Sequence, residues 1–140
     1  MLNLKSPVAC VWEITNRCNY RCPHCRAFDE IPEEKEVIEN RIIEQFIMAE
    51  VLSVNISGGE PLMNPRLESI IHRLTQNKID VGISTNGFFY KDKSEMLKDA
   101  GISFVQISLD GPERVHDEFR GVRGCLLYTS PSPRDQRGSR

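Results

Sequence analysis

Three cysteines fall within eight residues, Cys18-Asn-Tyr-Arg-Cys22-Pro-His-Cys25. Thiolates at such spacing bind soft metals or carry redox chemistry. Four would close a zinc tetrahedron and two could form a disulfide or a redox pair, but three leave a metal centre one ligand short. A zinc reading needs a distant fourth ligand, for which His72 and His116 are candidates. Three further stretches have side chains or backbone suited to a polar ligand: Gly58-Gly59-Glu60-Pro61, Ser84-Thr85-Asn86-Gly87 and Ser108-Leu109-Asp110-Gly111. Glycine lets backbone approach a ligand closely, Gly59 being expected at positive φ, while hydroxyl, amide and carboxylate groups supply donors and acceptors.

These residues need elements to hold them. Residues 8–15 are a short, mostly apolar run that stops at Asn16, just before the cysteines, and they read as a strand. Ile38, Ile42 and Phe46, with Ile43 and Ile47, recur at helical spacing up to about Glu50, and residues 52–57 follow as a second strand. Asn64 as a cap, Pro65 at the first position and Leu67, Ile70, Ile71 and Leu74 on one face predict a second helix. Residues 79–85 form a third strand, a helix around residues 94–100 stops at Gly101, residues 102–110 form a fourth strand, and Pro112 opens a fourth helix. This alternation predicts parallel strands and therefore an α/β sheet or barrel. The cysteines and the three stretches then all fall at carboxyl ends of strands, the edge at which such folds bind ligands. Ser108, at the last strand turn, is within reach of a ribose or carboxylate. His116, Asp117 and Arg120 read as a solvated helix face, and Cys10 as a small buried residue.

Composition narrows the classes. A chain of 140 residues with 39% hydrophobic and 27% charged residues is one globular unit. No apolar run approaches the roughly 18 residues of a membrane span, and Glu13 interrupts the N-terminus before a signal-peptide core could form. The expectation is a cytoplasmic protein without membrane contact. There thiols stay reduced, which favours metal binding or catalysis over disulfides. A net charge of −2 argues against nucleic acid as a partner. From Cys125 onward the text CLLYTSPSPRDQRGSR loses periodicity and reads as disordered. It is similar to the conceptual translation of a sequencing transposase adaptor. Residues 1–124 are accordingly taken as the truncated core domain, and 125–140 as a non-native tail.

CNYRCPHC resembles the CxxxCxφC signature of the radical S-adenosylmethionine (SAM) enzymes, and GGEP, STNG and SLDG stand where that family has its cofactor-binding strand ends. The resemblance covers residues 7–124. WEITNRCNYRCPHC and QISLDGPERVHDEFRG resemble the SPASM-type subgroup, which modifies peptides, proteins or cofactor precursors. The position φ is most often aromatic and is His24 here, which suits a contact to adenine made through backbone.

The resemblance implies the N-terminal portion of a partial (β/α) TIM-like barrel. It implies that Cys18, Cys22 and Cys25 hold three irons of a 4Fe-4S cluster, leaving the fourth to the amino and carboxylate groups of SAM. Cofactor contacts would come from His24, Gly58, Gly59, Glu60, Pro61, Asn86, Ser108 and Asp110. The implied activity is reductive cleavage of SAM to a 5′-deoxyadenosyl radical that abstracts hydrogen from a peptide, protein or small-molecule substrate. A low-potential donor such as flavodoxin or ferredoxin would supply the electron. A zinc-binding structural or interaction module and an iron-sulfur electron carrier are the alternatives. A full barrel takes ~250 residues, so four units alone are expected to expose a strand edge, hold a cluster poorly and turn over no substrate.

Overall fold

The computed structural model describes residues 7–25 and 36–126. Four strands alternate with four helices: β1 (Ala9–Glu13), α1 (Glu36–Met48), β2 (Ser53–Ser57), a 3-10 turn (Pro61–Met63), α2 (Leu67–Gln76), β3 (Asp80–Thr85), α3 (Tyr90–Asp99), β4 (Phe104–Ile107) and α4 (Glu113–Arg120). The strands form one parallel sheet in the order β1-β2-β3-β4. The expected α/β class is therefore found, with strands one to several residues shorter than the apolar runs that announced them.

The pleat sorts the sheet into two faces. Trp12, Ile14, Val54, Ile56, Val81 and Ile83 point to one side and are buried. There they meet Ile43 of α1, Leu97 of α3 and the α2 stripe. Leu67, Ile70, Ile71 and Leu74 of that stripe are at most 3% exposed, and full burial of each is worth about 1.5–3 kcal/mol. The opposite face carries Glu13, Asn55, Ser57, Ser84 and Gln106 and stays open or half-buried. In α1 only part of the predicted stripe is used: Ile43 is buried, but Ile38 remains 45% exposed.

Two helix starts differ from the sequence reading. α2 begins at Leu67 because Asn64 caps the turn before it, accepting the Arg66 N–H on Oδ1 at 2.8 Å while its carbonyl accepts the Leu67 N–H. α3 begins at Tyr90, four residues before the expected start, because the Asn86-Gly87 turn feeds it directly: Gly87 has φ 85° and its carbonyl accepts the Tyr90 N–H at 3.1 Å. Gly101, at φ 88°, follows α3 as expected, since a left-handed residue after the helix is cheap only for glycine.

A buried ion pair locks α1 and α2 to the end of β1. Glu39 is 2% exposed and accepts Arg66 Nε at 2.5 Å and Nη2 at 2.7 Å, while Asn64 Nδ2 donates to the Ile14 carbonyl at 3.2 Å. Arg66→Met is expected to destabilise the fold by about 2 kcal/mol, because it strands a buried carboxylate and the partial exposure of Arg66 softens the loss. Thermal unfolding should show a drop of roughly 4–8 °C, most of it recovered in Glu39→Gln/Arg66→Met; an unchanged midpoint would mean that the pair contributes nothing.

Candidate functional site

The loop after β2 is docked on the segment that leads into the cysteines. The Gly59 N–H donates to the Thr15 carbonyl at 2.6 Å and the Glu60 N–H to the Arg17 carbonyl at 2.7 Å. A Cβ on Gly58 would lie 2.3 Å from the Thr15 oxygen, and one on Gly59 would lie 2.3 Å from the Arg17 oxygen. The positive φ expected at Gly59 belongs to Gly58, at 130°. Gly59 is required for a different reason: backbone occupies the place its side chain would take.

Cys18, Cys22 and Cys25 follow within one turn-rich segment, in which the Cys25 N–H donates to the Cys22 carbonyl at 3.0 Å and the Tyr20 N–H to Cys18 Sγ at 3.4 Å. None of the three is in a disulfide, and all three line one cavity of about 330 Å³. Its floor is Ser57, Gly58 and Gly59 from the end of β2, with Ser84, Thr85 and Asn86 from the end of β3. Ser108, Asp110 and Arg120 close one side, and His24 forms part of the rim, its ring centroid 4.8 Å from that of Phe119. Six of the eight expected cofactor residues therefore line the cavity: His24, Gly58, Gly59, Asn86, Ser108 and Asp110. Glu60 and Pro61 lie beneath it and are buried.

Glu60 is a brace between strand ends. It is fully buried, its Oε1 accepts the Leu62 N–H at 3.0 Å and the Thr85 hydroxyl at 2.7 Å, and its Oε2 accepts the Asn86 N–H at 2.8 Å. Burial pushes its carboxyl above the usual range, and these three donors work against that shift.

Arg120 and His116 correct the reading of a solvated helix face. His116 is fully buried and its Nδ1 accepts the Asp110 N–H at 3.2 Å. Arg120 keeps only 11% of its side chain exposed, and its Nε donates to Asp110 Oδ2 at 2.6 Å. It lines the same cavity as Cys22. The Asp110 carboxylate is thus occupied in aiming a guanidinium at the cysteines. The available signal was the spacing of His116 and Arg120, which puts them on one face of α4.

Burial pushes the Cys18 and Cys22 thiols up, and the Arg120 charge opposes this at Cys22. Burial likewise raises Tyr20 to about 12, and its hydroxyl finds no partner among the described residues. Cys125, placed by the sequence at the start of a partnerless tail, is buried beside Tyr20 and Cys22, and its Sγ donates to Asp117 Oδ1 at 3.2 Å. Burial lifts that thiol to about 11. Residues 127–140 lie outside the described residues.

The donor set fits an iron-sulfur group better than zinc. The three motif cysteines share one cavity, yet among the described residues no three or more His, Cys, Asp or Glu side chains form a group that could hold a single metal ion. Neither candidate for the fourth ligand of a zinc site lines that cavity: His72 is exposed on α2 and hydrogen-bonded to Gln76, and His116, whose Nδ1 is engaged by Asp110, is buried outside the lining. Among the described residues, no helix is long and apolar enough to cross a membrane.

A parallel α/β sheet with a thiol-lined cavity at its carboxyl edge defines a class of cofactor-binding proteins. Residues 12–126 match the family model described as Radical SAM superfamily, and the chain belongs to that family. Its members are enzymes that use a 4Fe-4S cluster and SAM. The chain is 34% identical over 127 residues to Fe-coproporphyrin III synthase of Methanosarcina barkeri, a match covering 87% of this chain and 32% of that protein. It is 36% identical over 120 residues to GTP 3',8-cyclase of Limosilactobacillus fermentum, covering 77% and 36% respectively. Its fold is similar to that of Streptococcus suis SuiB bound to S-adenosylmethionine, with a TM-score of 0.69 and 27% identity, covering 84% of this chain and 29% of that one. The chain thus spans about a third of the length of the curated relatives it matches.

Proposed function

We propose that residues 1–124 are the first four βα units of a radical SAM enzyme. In this reading Cys18, Cys22 and Cys25 hold a 4Fe-4S cluster and the cavity beside them receives SAM. The observation that carries this is the convergence of the three motif cysteines, none of them in a disulfide, with the Gly58-Gly59 backbone on one cavity at the carboxyl edge of a parallel sheet. The group supplies one-electron reductive cleavage of the SAM carbon-sulfur bond, giving methionine and a 5′-deoxyadenosyl radical that takes hydrogen from substrate.

The chain's own residues bind, orient and exclude water. Gly58 and Gly59 let the loop after β2 dock against the backbone of Thr15 and Arg17, which sets their own backbone at the cavity. Arg120, held by Asp110, offers a guanidinium to an anionic group such as the cofactor carboxylate. Ser108 supplies a hydroxyl to the same cavity, and His24 covers its rim. The substrate is proposed to be a peptide, protein or cofactor precursor, and the electron to come from flavodoxin or ferredoxin. A peptide substrate has support in SuiB, one structure of which is bound to its precursor peptide SuiA.

Anaerobic reconstitution of the full-length natural chain that carries residues 1–124 tests the reading. Four irons and four sulfides per chain, with an electronic spectrum that changes on adding SAM, are expected. One zinc per chain, or a cluster indifferent to SAM, would remove it in favour of a zinc module or an electron carrier.

A further inference from the structure

Asn86 stands at the end of β3 with every hydrogen-bonding group of its side chain engaged. Its Oδ1 accepts the Phe88 N–H at 3.0 Å, which fixes the orientation of the amide. The Nδ2 group must therefore face the cysteine loop, where it donates to Asn19 Oδ1 at 2.9 Å and lies 3.8 Å from Cys18 Sγ. Two amide protons thus meet two acceptors. The backbone of Asn86 is pinned in turn, because its N–H donates to the buried Glu60 carboxylate at 2.8 Å.

The three thiols consequently have unequal surroundings. Cys18 Sγ receives the Tyr20 N–H at 3.4 Å as well as the Asn86 amide, whereas Cys22 has the Arg120 guanidinium. Hydrogen bonds to the sulfurs of an iron-sulfur cluster favour the more negative, reduced state and raise its potential. The effect is larger in a half-buried pocket than in water.

We propose that Asn86 is a positioning residue acting through Cys18. Its amide donates to the Cys18 sulfur and raises the reduction potential of the cluster, while Glu60 holds it in place across 26 residues of sequence. This rests on the cluster reading above. It also replaces the expectation that Asn86 contacts SAM, since both of its amide protons are already committed.

The test compares Asn86→Asp and Asn86→Leu with the unsubstituted full-length chain by redox titration of the reconstituted cluster, followed by electron paramagnetic resonance. Asn86→Asp keeps the acceptor for Phe88 and loses the donor; Asn86→Leu loses the donor without adding charge. Both are expected to lower the potential, with reduction about tenfold less favourable, equivalent to about 59 mV for one electron. A shift in Asn86→Asp alone would be a charge effect and would overturn the proposal, as would no shift in either at full iron content. A second measurement needs no cluster: in metal-free, asparagine-labelled protein, Cys18→Ala should move one of the two Asn86 side-chain amide proton resonances. If neither resonance moves, no hydrogen bond to Cys18 exists and the proposal fails. No cluster in the unsubstituted chain would sink the proposed function along with it, whereas an unshifted potential in a fully loaded protein sinks this inference alone.

Discussion

Cys22→Ala protein is expected to form no stable four-iron cluster after anaerobic reconstitution, with the charge-transfer absorption lost and iron content far below four per chain. The same holds for Cys18→Ala and Cys25→Ala, because each thiolate is proposed to hold a different iron. Cys10→Ala is the internal control. Cys10 is half-buried at the margin of the core and outside the cavity, so its loss should leave iron content unchanged. The structure adds one requirement that spacing did not suggest. Cys125 is buried beside Cys22, although its thiol is turned to Asp117. In a chain that keeps Cys125, the double variant Cys22→Ala/Cys125→Ala completes the test by removing the only neighbouring thiol outside the motif among the described residues. Four irons in that double variant would overturn the ligand assignment.

Gly59→Val is expected to abolish measurable SAM binding, lowering affinity at least a hundredfold, and to reduce cluster occupancy with it. The cluster is affected because the added Cβ meets backbone 2.3 Å away at the Arg17 carbonyl, one residue before Cys18, and backbone cannot rotate aside as a side chain can. The displacement also threatens the Glu60 N–H bond to that same carbonyl. Iron content, a SAM titration followed by spectral change, and thermal unfolding should all move together. Lost SAM binding with full iron content would restrict the glycine to cofactor approach. Intact SAM affinity and intact iron would reduce Gly58-Gly59-Glu60-Pro61 to an ordinary turn.

How much could be read beforehand depends on the range of the interaction. The α2 stripe was legible because Leu67, Ile70, Ile71 and Leu74 repeat with the period of the helix itself, and burial of one face follows. Parallel strand direction followed from alternation, because short links between strand and helix leave few topologies. The start of α3 was missed because the helix was placed only around residues 94–100, when the Asn86-Gly87 turn launches it at Tyr90.

The sequence by itself determined the α/β class, the three thiols and the strand-end positions of the glycine, asparagine and serine motifs. All of these are properties of spacing and local period. Only the tertiary structure decided that Glu60 braces Asn86, that Asp110 spends its carboxylate on Arg120, that His116 is buried, and that Gly59 is constrained by Arg17 rather than by φ. The reason is physical. Parallel pairing in a specific register brings together side chains 26 to 68 residues apart, as in Glu60 with Asn86 and Asn86 with Cys18, and no one-dimensional period records which polar atom meets which across those gaps.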